Sequence, residues 1–249
     1  MGILIVLLCL LYILLFFDLR LRVSYLLYGK RNYKRFNSVQ VAGARNILNA
    51  VQTYTGFSLV YECAIGELPS SGFMILSNHQ SLADIPVLSC VFAGSTVGFV
   101  AKRELRRGFP AVSVALRKGK HALIDRKGDF HAARRELKKM AHYAREGICP
   151  VVFPEGTRSR SGRVGPFHSA AVRTILEETP MPIVSVAVDG GYRIAGFRDL
   201  LKNLKGCIYR IKLLSVYPAT SDRKTVKEII GKTHSEISKQ VEQWRNKAS

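Results

Sequence analysis

FMILSNHQSLADIP, residues 73–86, changes character in its middle. Phe73-Met74-Ile75-Leu76 is an unbroken apolar run, which is how a strand buried on both faces reads. Ser77 to Ser81 is polar and ends that strand at the edge of a sheet. Ser81 predicts a cap for a following helix, with Asp84 in or near its first turn. The stretch is therefore a strand-loop-helix unit, with Asn78 and His79 where the strand gives out.

Working outward, the same alternation repeats. Strand-like runs fall at Leu59–Ala64, Phe73–Ser77, Val97–Ala101, Ala122–Ile124, Cys149–Phe153, Ile183–Val188 and Ile208–Val216. Helical spacing separates them, most clearly in DFHAARRELKKMAHYAREG, residues 129–147. There Phe130, Ala133, Leu137, Met140 and Ala144 form one stripe, Asp129 reads as the N-cap, and Gly147 as the stop. Lys224 to Lys247 reads as a final basic helix. Strands alternating with helices predict an α/β fold: a mostly parallel sheet with helices on its faces. There is no internal repeat, no low-complexity tract and no glycine-rich phosphate loop.

The 249 residues suffice for one sizeable core plus an appendage. An apolar content of 47% argues against disorder. Lys and Arg number 38 against 18 Asp and Glu, a formal charge of +20, which implies an anionic partner: nucleic acid, a membrane surface or a phosphorylated substrate. The five cysteines are scattered and form no CxxC pair, which fits buried thiols in a reducing compartment better than disulfides or zinc.

The N-terminus points to the membrane. Ile3 to Phe17 is fifteen consecutive apolar residues, ended by Asp18. A full span needs about 20, so the run is short for crossing. No charge precedes it and no small-residue cleavage site follows, which argues against a removed signal peptide. Arg20 to Arg35 holds six basic residues and no acidic one, placing that flank on the cytoplasmic side of the cell membrane. The expectation is a helix that dips into the cytoplasmic leaflet with Val39–Tyr54 packed beside it. A core helix apolar on every side is the other reading, unusual at a chain terminus. The chain divides accordingly into an anchoring region, residues 1–56, and an α/β region, residues 57–249.

Two further stretches bear on chemistry. His79 and Asp84 are five apart, so they meet only if His79 sits on the loop and Asp84 reaches back. An aspartate on one ring nitrogen leaves the other free as a base. Taken alone, the spacing occurs by chance in many proteins, and the pair reads more readily as a structural histidine beside a helix-start residue. VVFPEGTRSRSG, residues 151–162, leaves an apolar strand for a loop with one carboxylate, several hydroxyls and two arginines. Pro154 stops the strand, Gly156 permits a sharp turn, and Arg158 offers a planar fork suited to a phosphate, with Thr157 or loop amides as further donors. A solvated loop with a Glu155–Arg158 ion pair is the plain alternative. FVAKRELRRGFP carries Lys102, Arg103, Arg106 and Arg107 just after another strand. From Lys102 to Arg145 fourteen basic residues face four acidic ones.

These stretches together resemble the glycerolipid acyltransferases, in particular the 1-acylglycerol-3-phosphate acyltransferases of the bacterial PlsC type. SNHQSLAD is similar to the family's NHxSxxD block, AKRELRRGFP to its second block, and FPEGTRSR to its third at every position. LIDR, residues 123–126, resembles a further stretch. MPIVSVAV, residues 181–188, resembles the fourth block, with Ser185 where the family usually has a second proline. The resemblance runs from about Phe57 to Val188, with the blocks in order. It implies that His79 is the general base and Asp84 its orienting partner. It assigns Glu155, Gly156 and Arg158 to the glycerol-phosphate end of the acceptor, with Thr157 as a further donor and Lys102 as a second phosphate contact. The acyl donor would be acyl-CoA or acyl carrier protein, the acceptor lysophosphatidic acid or another lyso-lipid, and the partner surface a lipid bilayer. A thioester is activated enough to need no metal or other cofactor. A non-catalytic basic protein would leave FPEGTRSR unexplained, and no nucleic-acid motif stands in the chain.

Overall fold

The computed structural model describes residues 2–28, 32–70, 72–125 and 128–247. In chain order the elements are α1 (Gly2–Tyr28), α2 (Tyr33–Thr55), β1 (Ser58–Cys63), β2 (Met74–Ser77), α3 (Asp84–Val91) and β3 (Thr96–Lys102). There follow α4 (Val112–Lys118), β4 (Ala122–Ile124), α5 (Phe130–Arg145), β5 (Ile148–Val152) and α6 (Ala170–Glu178). The chain closes with β6 (Ile183–Asp189), α7 (Phe197–Asn203), β7 (Ile208–Tyr217) and α8 (Arg223–Asn246).

The seven strands form one sheet in the order β1-β7-β6-β2-β5-β3-β4. The five from β6 to β4 run parallel; β7 is antiparallel to β6 and parallel to β1. All seven strands fall where the apolar runs predict them. Side chains alternate across a strand, and here both faces are covered. Ile75, Val151 and Val184 pack with Leu48 and Val51 of α2 and Val87 and Leu88 of α3. Their neighbours Met74, Leu76, Val152 and Ile183 pack with Leu137, Ile175 and Ile229 of α5, α6 and α8. That double burial is why the central strands read as solid apolar runs.

Asp129 caps α5 through the amide of His131, and Gly147 follows that helix at φ 84°. Three helix boundaries differ from the sequence reading, the first being α2, which begins at Tyr33, ahead of the Val39–Tyr54 segment. Helix α1 does not end with the apolar run but continues ten residues past Asp18, and Asp18 and Arg22 pair one turn apart along it at 2.6 Å. Ser81 is not the cap of α3; Ala83 occupies that position, and the Ser81 hydroxyl accepts the Ala83 amide. Ser185, at the place of the family's second proline, is buried mid-strand beside a bulge and accepts the amide of Ser215. Arg126 of the LIDR stretch lies outside the described residues.

Helices α1 and α2 pack against each other, and α1 also meets α4. The Asp18 carboxylate accepts the amide of Ala111, just ahead of α4, at 2.8 Å. No helix among the described residues is long and apolar enough to cross a membrane.

His121 is buried between β3 and α4, and its Nδ1 accepts the amide of Phe99 at 3.0 Å. Burial pushes its pKa down from 6.5 to about 4. The folded chain therefore binds fewer protons than the unfolded one between those values, so stability falls as pH drops through that window. The loss is at most about 3 kcal/mol. Chemical denaturation from pH 7 to 4 should show it. A His121→Gln variant, which keeps an acceptor for Phe99, should lack this part of the fall.

Candidate active site

Strands β2, β3, β4, β5 and β6 run parallel, so their C-terminal ends lie at one edge of the sheet. Loops leaving that edge are the usual place for functional groups in open α/β sheets. Asn78 begins the loop by extending the ladder: its amide nitrogen donates to Val188 O and its oxygen accepts the Val188 amide, at 2.9 and 2.8 Å.

His79 comes next. Its Nδ1 lies 2.6 Å from Asp84 Oδ2, and its ring stacks on Phe153 with centroids 4.1 Å apart. With Nδ1 committed to the carboxylate, Nε2 is left for a proton transfer. Asp84 is fully buried. Its Oδ2 also accepts the amides of Gln80 and Ser81, at 2.7 and 3.1 Å. Its Oδ1 accepts the hydroxyls of Tyr209 and Ser81, at 2.7 and 3.3 Å. The five-residue spacing works because Asp84 opens α3 while the chain ahead of it turns back over the carboxylate. Gly191 makes room: a Cβ there would sit 3.0 Å from Ser81 Oγ and 3.2 Å from Asp84 Oδ1.

Glu155 is buried, and both its oxygens are taken by backbone. Oε1 accepts the amide of His79 at 2.7 Å and Oε2 that of Gly165 at 2.8 Å. Burial pushes its pKa up, and the two amides oppose that shift. This carboxylate joins two loops rather than facing open space. Gly156 turns at φ 69°, in the left-handed region that favours glycine. Ser159 N donates to His79 O at 2.8 Å, so the loop after β5 clasps the histidine from both sides. Thr157 and Arg158 are exposed, and Arg158 Nη1 donates to Ala195 O at 3.1 Å, leaving its other donors free to face a ligand. Lys102 is exposed at the end of β3, on the same sheet edge but two strands from β2. Bonds thus join His79, Asp84 and Glu155 directly, while Arg158 and Lys102 stand farther out.

Two contributors escaped the sequence reading. Tyr209 is wholly buried on β7, and burial together with the Asp84 charge raises its pKa well above 10. Gln80 is also buried; its Nε2 donates to Gly162 O and Asp189 Oδ1, and its Oε1 accepts the Tyr192 amide, each at 3.2 Å. The side-chain bonds of both reach across more than a hundred residues, except where Gln80 touches Gly162. No local spacing could reveal them.

The Acyltransferase family profile matches residues 39–189, more than half of the chain. The chain belongs to the acyltransferase family. It is 30% identical over 125 residues to a 1-acyl-sn-glycerol-3-phosphate acyltransferase of Cocos nucifera, covering 50% of this chain and 39% of the relative. A lyso-ornithine lipid O-acyltransferase of Pseudomonas aeruginosa is 28% identical over 134 residues, covering 54% of this chain and 48% of that one. The chain thus spans under half the length of these two curated relatives. The solved structure of the 1-acyl-sn-glycerophosphate acyltransferase PlsC from Thermotoga maritima superposes with a TM-score of 0.59 at 22% identity. It covers 94% of this chain and 96% of that one, a likeness of fold.

Tyr209→Phe should cost stability, because Asp84 Oδ1 then keeps only the long Ser81 contact. A hydrogen bond to a charged group is worth about 1.5–3 kcal/mol. A double-mutant cycle of Tyr209→Phe with Asp84→Asn, measured by denaturation, should give a coupling of that order. Additive effects would show that the contact does not hold the carboxylate.

Proposed function

We propose that this acyltransferase moves a fatty acyl group from a thioester, acyl-CoA or acyl carrier protein, to the free sn-2 hydroxyl of 1-acylglycerol-3-phosphate, making phosphatidic acid. The observation that carries this reading is the His79–Asp84 contact of 2.6 Å at the sheet edge. Asp84 fixes the ring so that Nε2 accepts the proton of the acceptor hydroxyl. The hydroxyl oxygen attacks the thioester carbonyl, the tetrahedral intermediate collapses, and the thiolate leaves with a proton returned from His79. Arg158 and Lys102 supply the cations for the acceptor phosphate, with Thr157 and the amides around Gly156 as further donors. Glu155 acts one step back, by holding the His79 amide.

The lyso-ornithine lipid relative supports a second acceptor class, in which an acylated amino-acid lipid offers the hydroxyl. Arg158 is exposed and enters no ion pair among the described residues, which suits either acceptor.

His79→Ala should lower turnover by about 10²–10⁴-fold with folding intact. Purified enzyme and variant offered a panel of lyso-lipids with both donors decide both points. Near-normal turnover without His79 would remove the mechanism. Transfer to lyso-ornithine lipid alone would replace the acceptor.

We further propose that residues 1–56 hold the catalytic region, residues 57–249, at the cytoplasmic surface of the cell membrane. Helix α1 supports this: Leu8, Tyr12, Leu19 and Leu26 lie 57, 68, 61 and 83% exposed along it. A monomer rarely leaves so long an apolar strip bare. Arg20 and Arg22 on the same helix would meet anionic headgroups, each worth about 1 kcal/mol near the surface. The helix would dip into one leaflet beside α2, so that a lipid acceptor reaches His79 without passing through water. Leu8→Ser with Leu19→Ser should shift the chain from the pellet to the supernatant when it is sedimented with phosphatidylglycerol-containing vesicles. Undiminished sedimentation would place the attachment elsewhere.

A further inference from the structure

Helices α6 and α8 enclose a groove of about 690 Å³ on the face of the sheet opposite α2 and α3. That is the size of a small-molecule site, for which about 300–1,000 Å³ is usual. Arg173 lines one wall, and Arg223, Lys224 and Lys227 the other. Glu177 is shared between two of these cations, 3.1 Å from Arg223 Nε and 3.9 Å from Arg173 Nε. Lys224 and Lys227 are exposed and enter no ion pair among the described residues. Four cations stand against Glu177 and, beside Lys224, Asp222, an excess of positive charge that suits a multiply charged anion. The remaining lining mixes apolar and polar groups: Pro166, Ile230 and the Phe167 ring, together with Ser169 and with His234, which stands edge-on to Phe167 with centroids 4.9 Å apart.

Gly231 lies in the same lining, in the interior of the 24-residue α8. Among residues other than proline, glycine is the least favourable choice for a helix interior. A Cβ on Gly231 would meet nothing within 4 Å. No packing in the folded chain therefore asks for the missing side chain, and its absence keeps the groove open.

We propose that this groove binds the phosphorylated adenosine of an acyl-CoA donor, with the purine against Phe167 and Ile230 and the phosphates among Arg173, Arg223 and Lys227. The inference rests on the acyl-transfer reading and deepens it by naming the donor. A concave site with an apolar floor suits a nucleotide, whereas a carrier protein would present a broad convex surface. The groove also lies at the right place. From His234 to Arg245 α8 climbs eleven residues, about 16 Å at 1.5 Å per residue. Arg245 there meets Asp189 at 3.2 Å, and Asp189 meets Gln80, the neighbour of His79. The other wall, at Pro166 and Phe167, ends the loop that begins at Glu155. A nucleotide seated low on α8 would leave its pantetheine arm to run up the helix and present the thioester at His79.

Steady-state kinetics of the full chain with acyl-CoA and with S-acyl-pantetheine, which lacks the nucleotide, test this. Lys227→Ala should raise the acyl-CoA KM about tenfold, the loss of one charge-assisted contact, and Gly231→Leu should raise it by at least as much by filling the groove. The acyl-pantetheine KM should not change. Adenosine 3′,5′-bisphosphate should compete with acyl-CoA for the native chain and lose potency against Gly231→Leu. Gly231→Leu should melt at or above the native temperature, which separates a blocked groove from a damaged fold. Equal effects on both donors, or none, would overturn the proposal. So would a defect confined to acyl carrier protein without competition by the bisphosphate, which would assign the groove to an acidic protein surface. Should the native chain transfer from no donor, the acyl-transfer reading fails. Calorimetric binding of adenosine 3′,5′-bisphosphate, present in the native chain and lost in Gly231→Leu, then decides the groove by itself.

Discussion

A carboxylate that is completely out of water is costly unless its oxygens are saturated with donors. Asp84 meets that condition with five: the His79 ring, the amides of Gln80 and Ser81, and the hydroxyls of Ser81 and Tyr209. These donors come from two parts of the fold, namely the loop after β2 and the start of β7. Meeting them all fixes how the loop curls and where β7 lies relative to β2, although β6 stands between those strands. The imidazole is oriented as one consequence among several. Removing any one donor leaves a buried negative oxygen short of a partner, so the geometry of the His79–Asp84 pair and local stability rest on the same atoms.

Glu155 repeats the device one strand away. Its two oxygens each take a backbone amide, one from the histidine loop and one from its own loop. Gln80 does the same with an amide side chain, joining the histidine loop to Gly162, Asp189 and Tyr192. Three loops from three adjacent strands are thereby bonded through buried side chains whose polar atoms are engaged with the protein. The exposed residues Thr157, Arg158 and Lys102 stand on this rigid rim. A division follows: buried polar groups set the geometry, and exposed cations at the margin remain able to meet a ligand.

How far the sequence showed this differs by element. All seven strands were legible, because helices on both faces leave no polar side to the central ones and Val-, Ile- and Leu-rich runs result. The antiparallel placement of β7 was not, since a strand's direction leaves no trace in its own residues. His79 and Asp84 were legible as a pair only with the neighbouring blocks; their spacing alone reads more readily as a structural histidine. Tyr209 was invisible because its partner is 125 residues away. Helix α1 was read as ending near Phe17, since hydropathy marks where apolar residues stop, whereas the helix follows backbone bonds past the Asp18–Arg22 pair to Tyr28.

Asp18 also shows why the N-terminal helix cannot be treated as a detachable appendage. Its second oxygen takes the amide of Ala111, where the backbone stands at φ 58°, a left-handed value that a side chain with a Cβ seldom adopts. Such strain persists only where surroundings over-determine it. Here the surroundings include the carboxylate on α1, the α1–α4 packing, and the buried cluster of Leu21, Phe36 and Val114. The Arg22 guanidinium, together with the Ala111 amide, holds the Asp18 carboxyl below its usual range against the opposing effect of burial. The segment fixed in this way follows Lys102 and bears Arg103, Arg106 and Arg107, with Phe109 half exposed at 52%. The helix with the bare apolar strip and the cation-rich loop at the sheet edge are therefore joined by direct contacts. Whatever surface α1 rests on, those contacts hold that loop close to it.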